Sequence, residues 1–148
     1  MITEEEQIAL DIDWFFTDGE QIGFVASGGG LLPATISKSS ENIEILSAYF
    51  WALPKRCGAI LNTNLTNKIK DITERYLSAF VPMTEKGLYS FDKTFLNRPF
   101  DTSYHLVAKP ITPLRLQDLP LQIKNIVIET KLKSRIEGAL DIAALFIK

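Results

Sequence analysis

A chain of 148 residues can build one domain core but not two. Charged residues make up 23%, and no apolar run approaches the roughly 18 residues of a spanning helix, which excludes a helical membrane protein. Cys57 and His105 are the single cysteine and the single histidine, excluding an internal disulfide and most nitrogen–sulfur metal sites; no metal or cofactor is implied.

The net charge of −2 is unevenly spread. Residues 1–37 hold seven acids (Glu4, Glu5, Glu6, Asp11, Asp13, Asp18 and Glu20) and no lysine or arginine, while the rest carries all 16 basic side chains with 11 acids. Such asymmetry bears on partners rather than on fold. The first residues, Met-Ile-Thr-Glu-Glu-Glu, are acidic where an export signal is basic and then apolar, so a cytoplasmic protein is expected.

Asp11 to Phe16 and Ile22 to Ser27 are rich in aromatic and branched residues, as strands prefer. Asp18-Gly19 between them suits a two-residue I′ turn. That turn sets Phe16 opposite Gln21, Phe15 opposite Ile22, Trp14 opposite Gly23 and Asp13 opposite Phe24. Alternation then places Ile12, Trp14, Phe16 and Val25 on one face, and Asp11, Asp13, Phe15, Ile22 and Phe24 on the other. Both faces are partly apolar, so the hairpin is expected to be packed on both sides. Ser27 to Pro33, with its triple glycine, reads as a loop.

Residues 39–53 show helical spacing, with Ile43, Leu46, Phe50 and Leu53 in a stripe, Ser39 or Ser40 as cap and Pro54 as stop. Tyr49 and Trp51 widen this apolar face. A second helix is expected from Thr66 to Phe80, lined by Ile69, Ile72, Tyr76 and Phe80, with pairs Lys70–Glu74 and Asp71–Arg75 and an end at Pro82. Leu88 to Phe91 and Tyr104 to Ala108 read as strands. Asp118 is positioned to cap a third helix, although the β-branched run 125–130 also suits a strand. The tail from Ile136 to Ile147 reads as a strand with a short packed end. The expected fold is a single α+β domain, with an antiparallel sheet starting at the N-terminal hairpin and two to three packed helices.

Catalytic motifs are missing. Gly28 to Gly30 lacks the lysine and hydroxyl of a P-loop and the spacing of a dinucleotide fingerprint, so a connector is the plainer reading. Cys57, beside Lys55 and Arg56, has only His105 as a possible base, and nothing in the sequence brings the two together. Asp11 and Asp13, with Asp18 and Glu20 at the turn, carry the carboxylates that acid–base or glycoside chemistry needs. Acids on a strand edge also deter edge-to-edge pairing, and a solvated or partner-facing edge explains them more simply. Lys131, Lys133 and Arg135 alternate as a basic ridge able to meet phosphates, but no aromatic RNA-binding signature accompanies them, so nucleic acid is not the expected partner.

Two stretches, Asp11 to Gly29 and Tyr104 to Pro120, together resemble a diffuse group of small, uncharacterised bacterial proteins. They are also similar in shape to stand-alone immunity proteins of bacterial toxin systems. This resemblance implies a non-catalytic protein-binding domain, an inhibitor that occupies a toxin's surface by shape and charge. The expected partner is a basic protein, met by Asp11, Asp13, Trp14, Asp18, Glu20 and Trp51. Of the aromatics Trp14, Phe15 and Trp51, at least two are expected in the core. Two alternatives stand beside it: a ligand binder or hydrolase using the hairpin carboxylates, and a homo-oligomer joined through the wide apolar face of the 39–53 helix.

Overall fold

The structure, a computed structural model, describes residues 1–65, 72–138 and 141–146. Its frame is a five-stranded sheet of β1 (Asp13–Thr17), β2 (Ile22–Ala26), β3 (Ala59–Leu61), β4 (Tyr89–Lys93) and β5 (Tyr104–Pro110), in the order β1-β2-β4-β5-β3. The α+β class is as expected, but the sheet is mixed: β2 and β4 run parallel, and the other junctions are antiparallel. A parallel neighbour requires a long crossover, and the chain between β2 and β4 supplies one through several helices.

Six helices lie among the described residues: α1 (Glu4–Ala9), α2 (Ala34–Ser37), α3 (Ser40–Trp51), α4 (Glu74–Leu77), α5 (Val81–Thr84) and α6 (Leu121–Val127). Several are single turns, too short to leave a periodic stripe in the sequence. The N-terminal one was nonetheless written in the chain. Thr3 and Glu6 form a reciprocal capping box, with Glu6 N–H donating to Thr3 Oγ1 and Thr3 N–H to Glu6 Oε1.

Both faces of the sheet are covered. Phe15, Ile22 and Phe24 pack with Leu46 and Phe50 of α3, Ile123 and Val127 of α6, and Phe80 and Met83 around α5. Trp14, Phe16, Val25 and Phe91 pack on the opposite side with Ile36, Leu132, Ile136 and Ile142. The hairpin is thus sandwiched, with the face assignment expected from alternation. Its register differs, however: Phe16 pairs with Gly23, Phe15 with Phe24 and Trp14 with Val25. Asp18 to Gln21 form a four-residue loop, in which Asp18 Oδ1 accepts from Glu20 N–H and Gln21 N–H while Thr17 Oγ1 accepts from Gly19 N–H. The slip is two residues, an even number, so every side chain keeps its face. Gly23 fits this register, because a Cβ there would lie 2.2 Å from the Phe16 ring.

α3 matches its expected span, with Ser39 Oγ accepting from Asn42 N–H. The residues expected to begin the second helix, Thr66 to Asp71, lie outside the described residues, and with them Ile69 and the pairs Lys70–Glu74 and Asp71–Arg75. The described remainder is α4, capped by Thr73 Oγ1. Pro82 does not end a helix; it sits in the first turn of α5, where its missing N–H costs nothing. The ambiguous 121–130 stretch is helical from Leu121 to Val127, opened by Pro120 rather than by Asp118, which lies in a 3-10 turn. No strand is found in the tail among the described residues. Lys131 makes one bridge to Thr17, and 3-10 turns follow at Ile136–Gly138 and Ala143–Phe146. No helix among the described residues is long and apolar enough to cross a membrane.

Candidate functional site

The six expected partner-facing residues are not one cluster. Asp11, Asp13 and Trp51 lie at the open end of the hairpin, whereas Asp18 and Glu20 occupy its turn, about 17 Å from Asp13 along the strand. At the open end, Asp11 Oδ1 accepts from Gly28 N–H at 2.9 Å, and Asp13 Oδ2 accepts from Trp51 Nε1–H at 3.1 Å. Trp51 is half-exposed, lies edge-on to Phe24 and holds the Lys86 ammonium 5.3 Å from its ring centroid. Burial raises the Asp13 carboxyl above its ordinary value; the Trp51 hydrogen bond opposes this and the Asp11 charge adds to it.

The other three have different surroundings. Trp14 and Phe15 are buried in the two cores, so these aromatics contribute packing and Trp51 alone reaches solvent. Asp18 is committed to structure, since Oδ2 also accepts from Ile136 N–H at 2.9 Å and ties the turn to the C-terminal segment. Glu20 is exposed.

The largest apolar exposure near the acids comes from residues not singled out by sequence. The connection between β4 and β5 carries Phe95, Leu96 and Phe100, which are 42%, 63% and 62% exposed. The loop is ordered around these side chains: Lys93 Nζ donates to Asp101 O, Leu31 N–H donates to Pro99 O, and Arg98 stacks 4.6 Å from the Phe95 centroid. Leu96 abuts Gly28, the residue whose N–H holds Asp11, so the apolar loop and the acids meet there. Leu10, beside Asp11 in the chain, is 50% exposed. α1 brings Glu4, Glu5 and Glu6 to the same end, because Gln7 Oε1 accepts from Leu32 N–H just beyond the glycine loop. The sequence signal was available: three large apolar residues flank Asn97-Arg98-Pro99, a turn-forming stretch in which hydrophobics have no core to enter.

Behind this end lies a polar cluster. Asp92 on β4 pairs in register with His105 on β5, and α4 places Tyr76 over both. Tyr76 OH donates to Asp92 Oδ2 at 2.8 Å and stands 3.3 Å from His105 Nε2, while Thr94 Oγ1 is 3.0 Å from His105 Nδ1. Burial pushes the Asp92 carboxyl up to about 6, against the Tyr76 and Lys93 N–H hydrogen bonds that favour its charge. Tyr76 is raised by burial and by the neighbouring Asp92.

The Cys57 sulfur sits among the carbonyls of Thr84, Glu85 and Thr112, the nearest at 3.5 Å. Among the described residues, no group of three or more His, Cys, Asp or Glu side chains is placed to hold a metal ion. Comparison with protein-family models, with curated proteins and with solved structures finds no significant match, so the functional reading rests on this geometry.

Proposed function

We propose that this is a non-catalytic protein-binding domain whose partner is a basic protein. The β4–β5 loop supplies the anchor and the acid-rich N-terminal segment the rim; an immunity or antitoxin-like inhibitor of a toxin fits this form. The carrying observation is the exposure of Phe95, Leu96 and Phe100 beside Asp11. Three large apolar side chains held in solvent by an ordered loop stabilise the isolated domain little, and they match the aromatic-rich centre of an interface. Acids around such a centre speed the approach of a cationic partner and set its orientation.

The rivals have less support. Asp11 and Asp13 each hold a structural hydrogen bond, and Asp18 holds three, which favours a role in the fold over acid–base work for these carboxylates. The apolar face of α3 that suggests self-association packs inward, with Leu46 and Phe50 buried and Ile45 and Tyr49 against the same core.

Affinity capture from the native cell tests the reading. The wild-type domain is expected to retain one stoichiometric basic protein, and Leu96→Ser/Phe100→Ser is expected to lose it by at least about 30-fold in affinity, as for truncation of interface hot spots. Equal retention by the variant would overturn the assignment of the anchor.

A further inference from the structure

We propose that the cleft between residues 129–134 and the Ala143–Phe146 turn binds a small amphipathic oxyanion, a phosphate or carboxylate head on an apolar body. The cleft encloses about 570 Å³, within the roughly 300–1,000 Å³ of small-molecule sites. It lies on the far side of β1 from the proposed partner surface and is independent of it.

The backbone fixes the cationic side. Thr17 N–H donates to Thr130 O and Leu132 N–H donates to Thr17 O, so residues 130–132 extend the sheet edge beside β1. Thr130 and Leu132 are buried, while Lys131 and Lys133 are exposed and both line the cleft. Gly19 supports the Lys131 stem closely; a Cβ there would come within 3.2 Å of Lys131 Cε.

The lining carries Lys131 and Lys133 against Glu129 and Asp141, and Lys38, pairing with Glu129 from outside it, leaves one positive charge in excess. Glu129 is taken by Lys38 at 2.8 Å, and Asp141 Oδ1 accepts from Ala143 N–H at 2.8 Å. Neither Lys131 nor Lys133 forms an ion pair among the described residues. An oxyanion in the cleft gains charge-assisted hydrogen bonds from ammoniums that line it. Hydroxyls add to the site. Thr35 and Thr130 share one hydrogen bond at 2.7 Å, which leaves one of their two protons to donate, and Ser134 lines the same wall. Leu132, Ala144 and Leu145 provide an apolar wall for the ligand's body.

The test is an amide-shift titration of the isotopically labelled protein with phenyl phosphate, with phenol as the neutral control. Saturable shifts are expected at Thr35, residues 130–134 and Leu145, with a Kd on the order of 1 mM. Lys131→Gln/Lys133→Gln, which alters only exposed side chains, is expected to weaken binding at least about tenfold, and phenol is expected to produce no saturable shift. The proposal is overturned by no saturation up to about 10 mM phenyl phosphate, by an unchanged Kd in the double variant, or by equal binding of phenol.

Discussion

Burial holds the Asp92 carboxyl at about 6, and that value governs how the fold responds to acid. The folded-state value lies above the unfolded one, so the folded protein binds this proton more tightly. The resulting stabilisation is complete below about pH 4 and is lost as pH rises through 6, worth roughly 3 kcal/mol in all. Asp13 is shifted in the same direction by burial, so removing one group leaves some of the slope. Asp92→Asn is therefore expected to flatten, without abolishing, the fall in stability between pH 4 and 7. Urea midpoints across that range measure it, and an unchanged slope would place the titrating group elsewhere. Nothing in the local sequence announces this residue. Asp92 looks like any acid between a phenylalanine and a lysine, and only the pairing with β5 and the arrival of Tyr76 from far along the chain bury it. Residue-scale chemistry was hard to read for this reason, since it depends on contacts between distant segments.

At the level of elements, local physics carried further. The hairpin, α3 with its Ser39 cap and the two later strands follow from alternation, spacing and capping. The turn was misread because the Asp-Gly signal favours a two-residue loop, whereas Asp18 and Thr17 satisfy the backbone of a four-residue one. Parity protected the face assignment from that error. Asp18, expected to meet a partner, also has a role within the fold. It accepts from Glu20, Gln21 and Ile136 N–H groups. Asp18→Ala is expected to cost about 2–4 kcal/mol, since bonds to a charged acceptor are lost and three donors are left to water. A thermal melt reads this directly. A loss below about 0.5 kcal/mol would mean that the turn and the C-terminal segment are held by other contacts. The parallel β2–β4 junction and the 3-10 tail had no sequence signal, because both are fixed by where the chain returns.

On the scale of the whole molecule, one end of the sheet gathers α1, the glycine loop and the β4–β5 loop, so that acids and exposed apolar side chains share a surface. The uneven charge was read from the sequence; the exposure of Phe95, Leu96 and Phe100 was not, although the turn-forming Asn97-Arg98-Pro99 beside them was a signal for it. Half of the expected contact set, Trp14, Asp18 and Glu20, lies in the core or at the opposite end of the hairpin. On the proposed reading, the acids and the apolar loop would contribute separably to binding: long-range charge acts on an encounter, and desolvated apolar contact acts on the lifetime of a complex. The direct measurement is the association and dissociation rate of the captured partner, across a range of salt, for wild type, Asp11→Asn/Asp13→Asn and Leu96→Ser/Phe100→Ser. The predicted result is a several-fold slower, less salt-sensitive association in the acid variant, and a dissociation rate raised at least about tenfold in the loop variant. Rates unchanged in both variants would contradict the account and move the binding surface away from this end of the sheet.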